Sequence, residues 1–225
     1  MSELIKKSDS QIQRDVEDEL KWDTRVIATD VGVEVSGGVV ILSGTVDSWT
    51  GRLAAQEAAH RVAGVLDVAN EVKVKLPGSG ERDDTDIAVA VRRALEWDVL
   101  VPQDRIQTTV SNGVVTLEGG VDYWSQFDDA ARCVRNLAGV REVKNRIVVD
   151  PSPTRLATQT IKSAIEHALE RHAEHAAKRV HVAIAEGKVT LSGEVPSWAE
   201  LAAVEGAVRG TPGVKKVENQ LTIRT

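Results

Sequence analysis

Apolar residues recur every four positions at the start of three stretches of the chain. They are Ile12, Val16 and Leu20, then Ile87, Val91 and Leu95, then Ile161, Ile165 and Leu169. That spacing keeps one helical face apolar and predicts a helix in each place. Acidic residues at Asp9 and at Asp83, Asp84 and Asp86 suit a helix N-terminus, where the dipole is positive. The period then falls to two. Val31, Val33 and Val35 form one alternating set, and Val40, Leu42, Gly44 and Val46 form another. Two strands are predicted. Between them lie Gly37-Gly38, Asn112-Gly113 and Glu186-Gly187. Asn-Gly is a strong hairpin signal, because a type I′ turn needs positive φ twice. The two strands should therefore pair antiparallel.

A second helix follows, with Ala55, Ala58, Ala59 and Val62 as its apolar stripe. Ser197 and Glu200 have capping-box spacing at its start in the last stretch. Gly64, Gly139 and Gly213 stand where a glycine ends a helix. A last strand reads Val68, Asn70, Val72 and Val74. A helical crossover between the second and third strands allows right-handed parallel pairing. The predicted unit is αββαβ, of α+β class: a small mixed three-stranded sheet with two helices on one face.

The unit occurs three times. Trp49, Trp124 and Trp198 are 75 and 74 residues apart. The same offsets relate Gly38, Gly113 and Gly187, then Gly44, Gly119 and Gly193, then Asn70, Asn145 and Asn219. The copies span 9–76, 83–150 and 154–225. PGSGER, from Pro77 to Arg82, and Pro151-Ser152-Pro153 join them. The first linker reads as flexible and the second as stiffer. Three beads on a chain are expected, with packing between copies as a further source of stability for such small cores.

Composition narrows the function classes. The 225 residues carry 34 acidic and 28 basic side chains, a net charge of −6. That balance argues against a nucleic-acid partner. No apolar run approaches the roughly 20 residues of a membrane span. The start, MSELIKKSDS, lacks the apolar stretch of a secretory signal, so a cytoplasmic location is expected. One cysteine forms no intrachain disulfide. Copy one has 12 acidic and 7 basic residues and copy two 12 and 8, whereas copy three has 8 and 10.

GVVTLEGGV at Gly113 to Val121 and GVREVKN at Gly139 to Asn145 resemble the signature of the BON domain, named for bacterial osmotically inducible and nodulation proteins. GVVILSGTV with GVLDVAN, and GKVTLSGEV with GVKKVEN, repeat it in the other copies. The resemblance implies an αββαβ fold and a non-enzymatic binding role linked to osmotic and envelope stress. It also implies anionic phospholipid as a ligand of some members and potassium as a ligand of one. Many members are periplasmic or lipoprotein-anchored. This chain departs there, with neither a signal peptide nor a lipobox cysteine near its start.

The expected function is a stress-associated, non-catalytic binding protein that contacts a phospholipid surface or a protein partner. A small-ion binder for potassium or calcium and a structural scaffold are the alternatives. The candidate contact residues are Trp49, Trp124 and Trp198, with the basic clusters Lys178-Arg179 and Lys215-Lys216. The indole suits headgroups or a partner, and otherwise braces its own turn. Trp22 and Trp97 of the first helix read as surface or inter-copy residues. Asn70, Asn145 and Asn219 should face inward and bond to a helix end or loop. An amide oxygen on a cation is the sharper option. Gly44 and its equivalents should mark close packing against a helix. His172 and His175 share a helical face without an evident third metal ligand. Cys133 takes a small core position. No catalytic, cofactor or metal site is expected.

Overall fold

The computed structural model describes residues 7–75, 82–151, 158–172 and 179–224, with side chains up to Leu169 in the third of these stretches. The first module comprises α1 (Asp9–Trp22), β1 (Val31–Ser36), β2 (Val39–Val46), α2 (Trp49–Arg61), β3 (Asp67–Asn70) and β4 (Lys73–Val74). The second comprises α3 (Asp84–Trp97), β5 (Ile106–Ser111), β6 (Val114–Val121), α4 (Trp124–Arg135) and β7 (Glu142–Val149). The third comprises α5 (Thr158–His172), β8 (Val180–Ala185), β9 (Lys188–Val195), α6 (Trp198–Arg209) and β10 (Lys216–Ile223). The PGSGER linker lies outside the described residues except for Arg82, and so do Ser152 and Pro153.

Local chemistry sets the helix starts. Ser8 caps α1 and exchanges bonds with Gln11 in a capping box. Ser48 and Ser197 accept from the amides of Gly51 and Glu200. In the second module Tyr123 stands at that position, and the Gln126 amide oxygen accepts from Asp122 and Tyr123 instead.

Each sheet is mixed, with the second strand in the middle. β1 and β2 pair antiparallel, and β6 with β7 and β9 with β10 pair parallel. The hairpin turns take the expected positive φ at both positions, including 51° at Glu186. One face of each sheet meets both helices. Val40 and Leu42 of β2 are buried against Ile12, Val16 and Leu20 of α1 and against Ala54 and Ala58 of α2. Full burial of such side chains stabilises by about 1.5–3 kcal/mol each.

The third strand of the first module is interrupted, against the expectation of one continuous strand. β3 and β4 each pair with β2 but are separated by Glu71 and Val72. Arg52 is the physical reason. Its guanidinium donates to the carbonyls of Asn70 at 2.8 Å and Val72 at 2.9 Å. The same repeat position holds Phe127 and Leu201, and there the pairing runs unbroken over eight residues.

Gly44, Gly119 and Gly193 mark a close approach, but not to a helix as expected. A Cβ at Gly44, where φ is 110°, would fall on the carbonyl oxygen of Asp30, which leads into β1. Arg105 and Arg179 offer the same obstacle to Gly119 and Gly193.

The modules are not separate beads. Trp198 packs against the cores of both the first and third modules, and α2 contacts α6. A 70-residue core is small for a full indole, so part of the ring is buried against a neighbour.

Candidate functional site

The repeated tryptophan opens the second helix of its module, and Trp124 and Trp198 reach the end of the second helix of the next. Trp124 Nε1 donates to the carbonyl of Val214 at 3.2 Å, and the Arg209 guanidinium lies 4.7 Å from its ring centre. Trp198 stacks on His60 at 4.2 Å and 17°. Thr50, beside Trp49, donates to the Asn136 amide oxygen at 2.7 Å. His60, Arg135 and Arg209 occupy one repeat position, and Arg61, Asn136 and Gly210 the next. The first module thus contacts the second, the second the third, and the third the first, each through a second-helix start against the region of the next second-helix end. Three head-to-tail contacts of one type close into a ring with a pseudo-threefold axis. Lys215 adds an ion pair with Asp150 at 2.8 Å across the second seam.

The seams differ in polar satisfaction. Arg209 pairs with Glu205 and faces Asp128, whose carboxyl burial pushes up and Arg209 holds down. Arg135 Nε, Arg209 Nε and Trp198 Nε1 are buried without a hydrogen-bond partner. Trp49 has Arg52 of its own helix 5.1 Å from its ring centre. The indoles of Trp124 and Trp198 are therefore engaged within the chain and only partly exposed.

The ring leaves other aromatics outside. Trp22 and Trp97, one repeat position at the ends of α1 and α3, are 83% and 85% exposed. Val99 and Leu100 follow Trp97 at 95% and 60% exposure, and Ile27 lies at 57% near Trp22. Equivalent positions in a closed ring sit at the same height along its axis. The third-module equivalents begin at Arg171, whose side chain lies outside the described residues.

Of the basic clusters, Lys178 lies outside the described residues and Arg179 is exposed. Lys215 is engaged with Asp150, and Lys216 and Lys188 share Glu218 at 3.5 and 2.7 Å. His175 and the His172 side chain lie outside the described residues. His181 is exposed on β8. Among the described residues no group of three or more His, Cys, Asp or Glu side chains is placed to hold a metal ion.

The repeated asparagines tie the third strand to the second helix. Asn70 Nδ2 donates to the Arg52 carbonyl at 3.0 Å, and its Oδ1 accepts from Val72. Asn145 does the same with Phe127 at 2.8 Å and Ile147. Asn219 is exposed, accepts from Leu221 and donates to Glu205. Each amide oxygen is thus engaged by a backbone N–H. Cys133 donates to Asp98 Oδ2 at 3.2 Å, and burial chiefly pushes its thiol up to about 11.

Sequence reasoning missed two features. Asp9 and Asp84, each the first residue of its helix, accept from both turn amides of their hairpins at 2.7–3.0 Å. They read as dipole partners, yet the third module has Thr158 there. The receiving position of the seams was also missed. Reading His60, Arg135 and Arg209 in register would have drawn attention to it.

The comparison with known proteins decides the family. The BON domain matches three times, over residues 8–75, 83–151 and 157–225. This chain belongs to the BON-domain family. Osmotically-inducible protein Y of Escherichia coli (strain K12) is 33% identical over 141 residues, covering 61% of this chain and 70% of that protein. Two solved structures of CdsD, a structural protein of the type III secretion system of Chlamydia trachomatis, are 14% and 13% identical. They cover 95% and 94% of this chain, and 92% and 96% of their own, each at a TM-score of 0.27, a likeness too slight to build on. The three BON domains carry one mixed sheet apiece, and no described helix is long and apolar enough to cross a membrane.

Proposed function

We propose that this chain is a non-catalytic, stress-associated binding protein whose BON-domain ring docks on a phospholipid surface. Membership of the BON family and similarity to an osmotically inducible protein support the stress-associated role. The paired exposure of Trp22 and Trp97 carries the surface reading. Indoles favour the membrane interface, where an apolar ring and an N–H are both satisfied. Val99 and Leu100 extend the apolar tip beside Trp97. Two linked weak contacts gain avidity over either alone where both reach the same surface.

Charge shapes the mode of binding. The first two domains are acidic, so attraction to anionic headgroups is not the main contribution there. Insertion of the tips survives added salt, whereas a screened surface attraction does not.

Co-sedimentation with vesicles of phosphatidylcholine, with and without phosphatidylglycerol, at low and high salt tests this. Binding is expected at both salt levels. The Trp22→Ser, Trp97→Ser double variant, altered only at exposed positions, loses most of it. No sedimentation of the native chain at low salt overturns the phospholipid reading and leaves a protein partner for the same tips. Unchanged binding by the double variant overturns the assignment of the tips.

A further inference from the structure

The three seams of the ring are not chemically equal. The second seam seats a permanent cation, Arg209, beneath Trp124. That charge is balanced by Glu205 on its own helix and by Asp128 on the facing one. The third seam seats His60 beneath Trp198. The positions equivalent to Glu205 and Asp128 there are Gln56 and Ala202. Both are neutral, and Gln56 Oε1 already accepts from Asn70. The third seam is also the one without a covalent linker, because it joins the first and last domains. Only non-covalent contacts close it.

We propose that this seam is a proton-sensitive latch: neutral His60 stacked on Trp198 holds the ring shut, and a proton on His60 releases it. Among the described residues, Asp67 of β3 has a field that favours the charged imidazole. On α2 itself, Glu57 is paired with Arg25, and Arg61 with Glu19 and Asp23. From α6 the residue seated on the ring is Trp198, whose Nε1 is buried without a partner.

The sign follows from linkage. Burial holds the His60 pKa below its ordinary value of 6.5, against the weaker pull of Asp67. The open seam returns the ring to water and takes up a proton more readily. Acid therefore favours the open form. The seam is most stable above the ordinary histidine range and weakens as pH falls below it. The proposal concerns ring closure and stands whether or not the chain binds phospholipid.

Small-angle scattering of the full chain between pH 8 and pH 5 reads the latch. Donor and acceptor dyes on exposed positions of the first and third domains give a second readout. The native chain is expected to gain radius and lose energy transfer on acidification, while its far-ultraviolet circular dichroism is unchanged. His60→Phe keeps a flat ring without a titrating group and remains compact at pH 5. Gln56→Glu restores the balancing carboxylate and moves the opening to lower pH. Trp198→Ala is extended at both ends of the range. A native chain equally compact at pH 8 and pH 5 overturns the proposal. So does an acid expansion that persists in His60→Phe, which would assign it to the other histidines.

Discussion

The Trp124 indole donates its Nε1 hydrogen to the Val214 carbonyl at 3.2 Å, across 90 residues of chain and between two BON domains. An exchange of protein for water partners makes such a bond worth about 1 kcal/mol net. Trp124→Phe keeps an aromatic ring on the seam and is expected to cost about that amount. Trp124→Ala removes the ring as well and costs about 3 kcal/mol, at the low end for a large aromatic because the indole is half-buried. Urea unfolding followed by circular dichroism measures both. Equal costs for the two variants would show that the ring contributes little.

Gly119→Ala should be among the most damaging single changes. φ at Gly119 is 134°, and a methyl there meets the Arg105 carbonyl. Backbone strain and overpacking together cost about 3 kcal/mol or more. Gly206→Ala makes the opposite case. Gly206 lies inside α6, is exposed, and its added methyl meets nothing. That change is expected to stabilise by up to about 1 kcal/mol through helix propensity. Thermal unfolding of the two variants should move in opposite directions.

Asn145→Ala removes the side-chain donor to the Phe127 carbonyl and the acceptor of the Ile147 amide. The expected cost is about 2 kcal/mol, the penalty of unpaired groups in a part-buried place. Asn145→Asp should do no better, because a carboxylate cannot donate to Phe127. Melting of both variants with and without potassium or calcium checks the account. An ion-dependent shift in the native chain, absent from Asn145→Ala, would instead give the amide a ligand role.

Asp23 predicts how the first domain responds to acid. Hydrogen bonds from Arg25, and then from Arg61, hold its carboxyl well below the usual range. A depressed native pKa contributes stability that is present above the unfolded value of about 4 and is lost as pH falls below it. Asp23→Asn is therefore expected to be less stable than the native chain at pH 7. The gap should close towards pH 2. A gap that does not change with pH would mean that the Asp23–Arg25–Arg61 cluster acts by shape rather than charge.

Much of each domain is visible in the chain itself. The four-residue spacing of Ile87, Val91 and Leu95 is the buried stripe of α3. Asn112-Gly113 is the turn of the β5–β6 hairpin, and the repeated asparagines sit opposite Leu42, Leu117 and Leu191 of the middle strands. These are local or nearly local relations, set by helix period, strand alternation and the φ that a tight turn demands. The break between β3 and β4 was not visible. It depends on Arg52 reaching across the fold to two carbonyls, and an arginine in a helix usually reads as solvated.

The seams were beyond the sequence for a similar reason. A tryptophan at a helix start has the same local signature whether it braces its own turn or lies on a neighbour. Its partner is chosen by which helix end the folded chain brings near, and Trp198 meets a residue of the first domain. The sequence by itself determined the three αββαβ units, their hairpins and their helix stripes, because these rest on periodicity and backbone preference. Only the tertiary structure decided the closed ring, the exposure of Trp22 and Trp97, and the stacking of His60 on Trp198. Those depend on where non-local surfaces meet and exclude water.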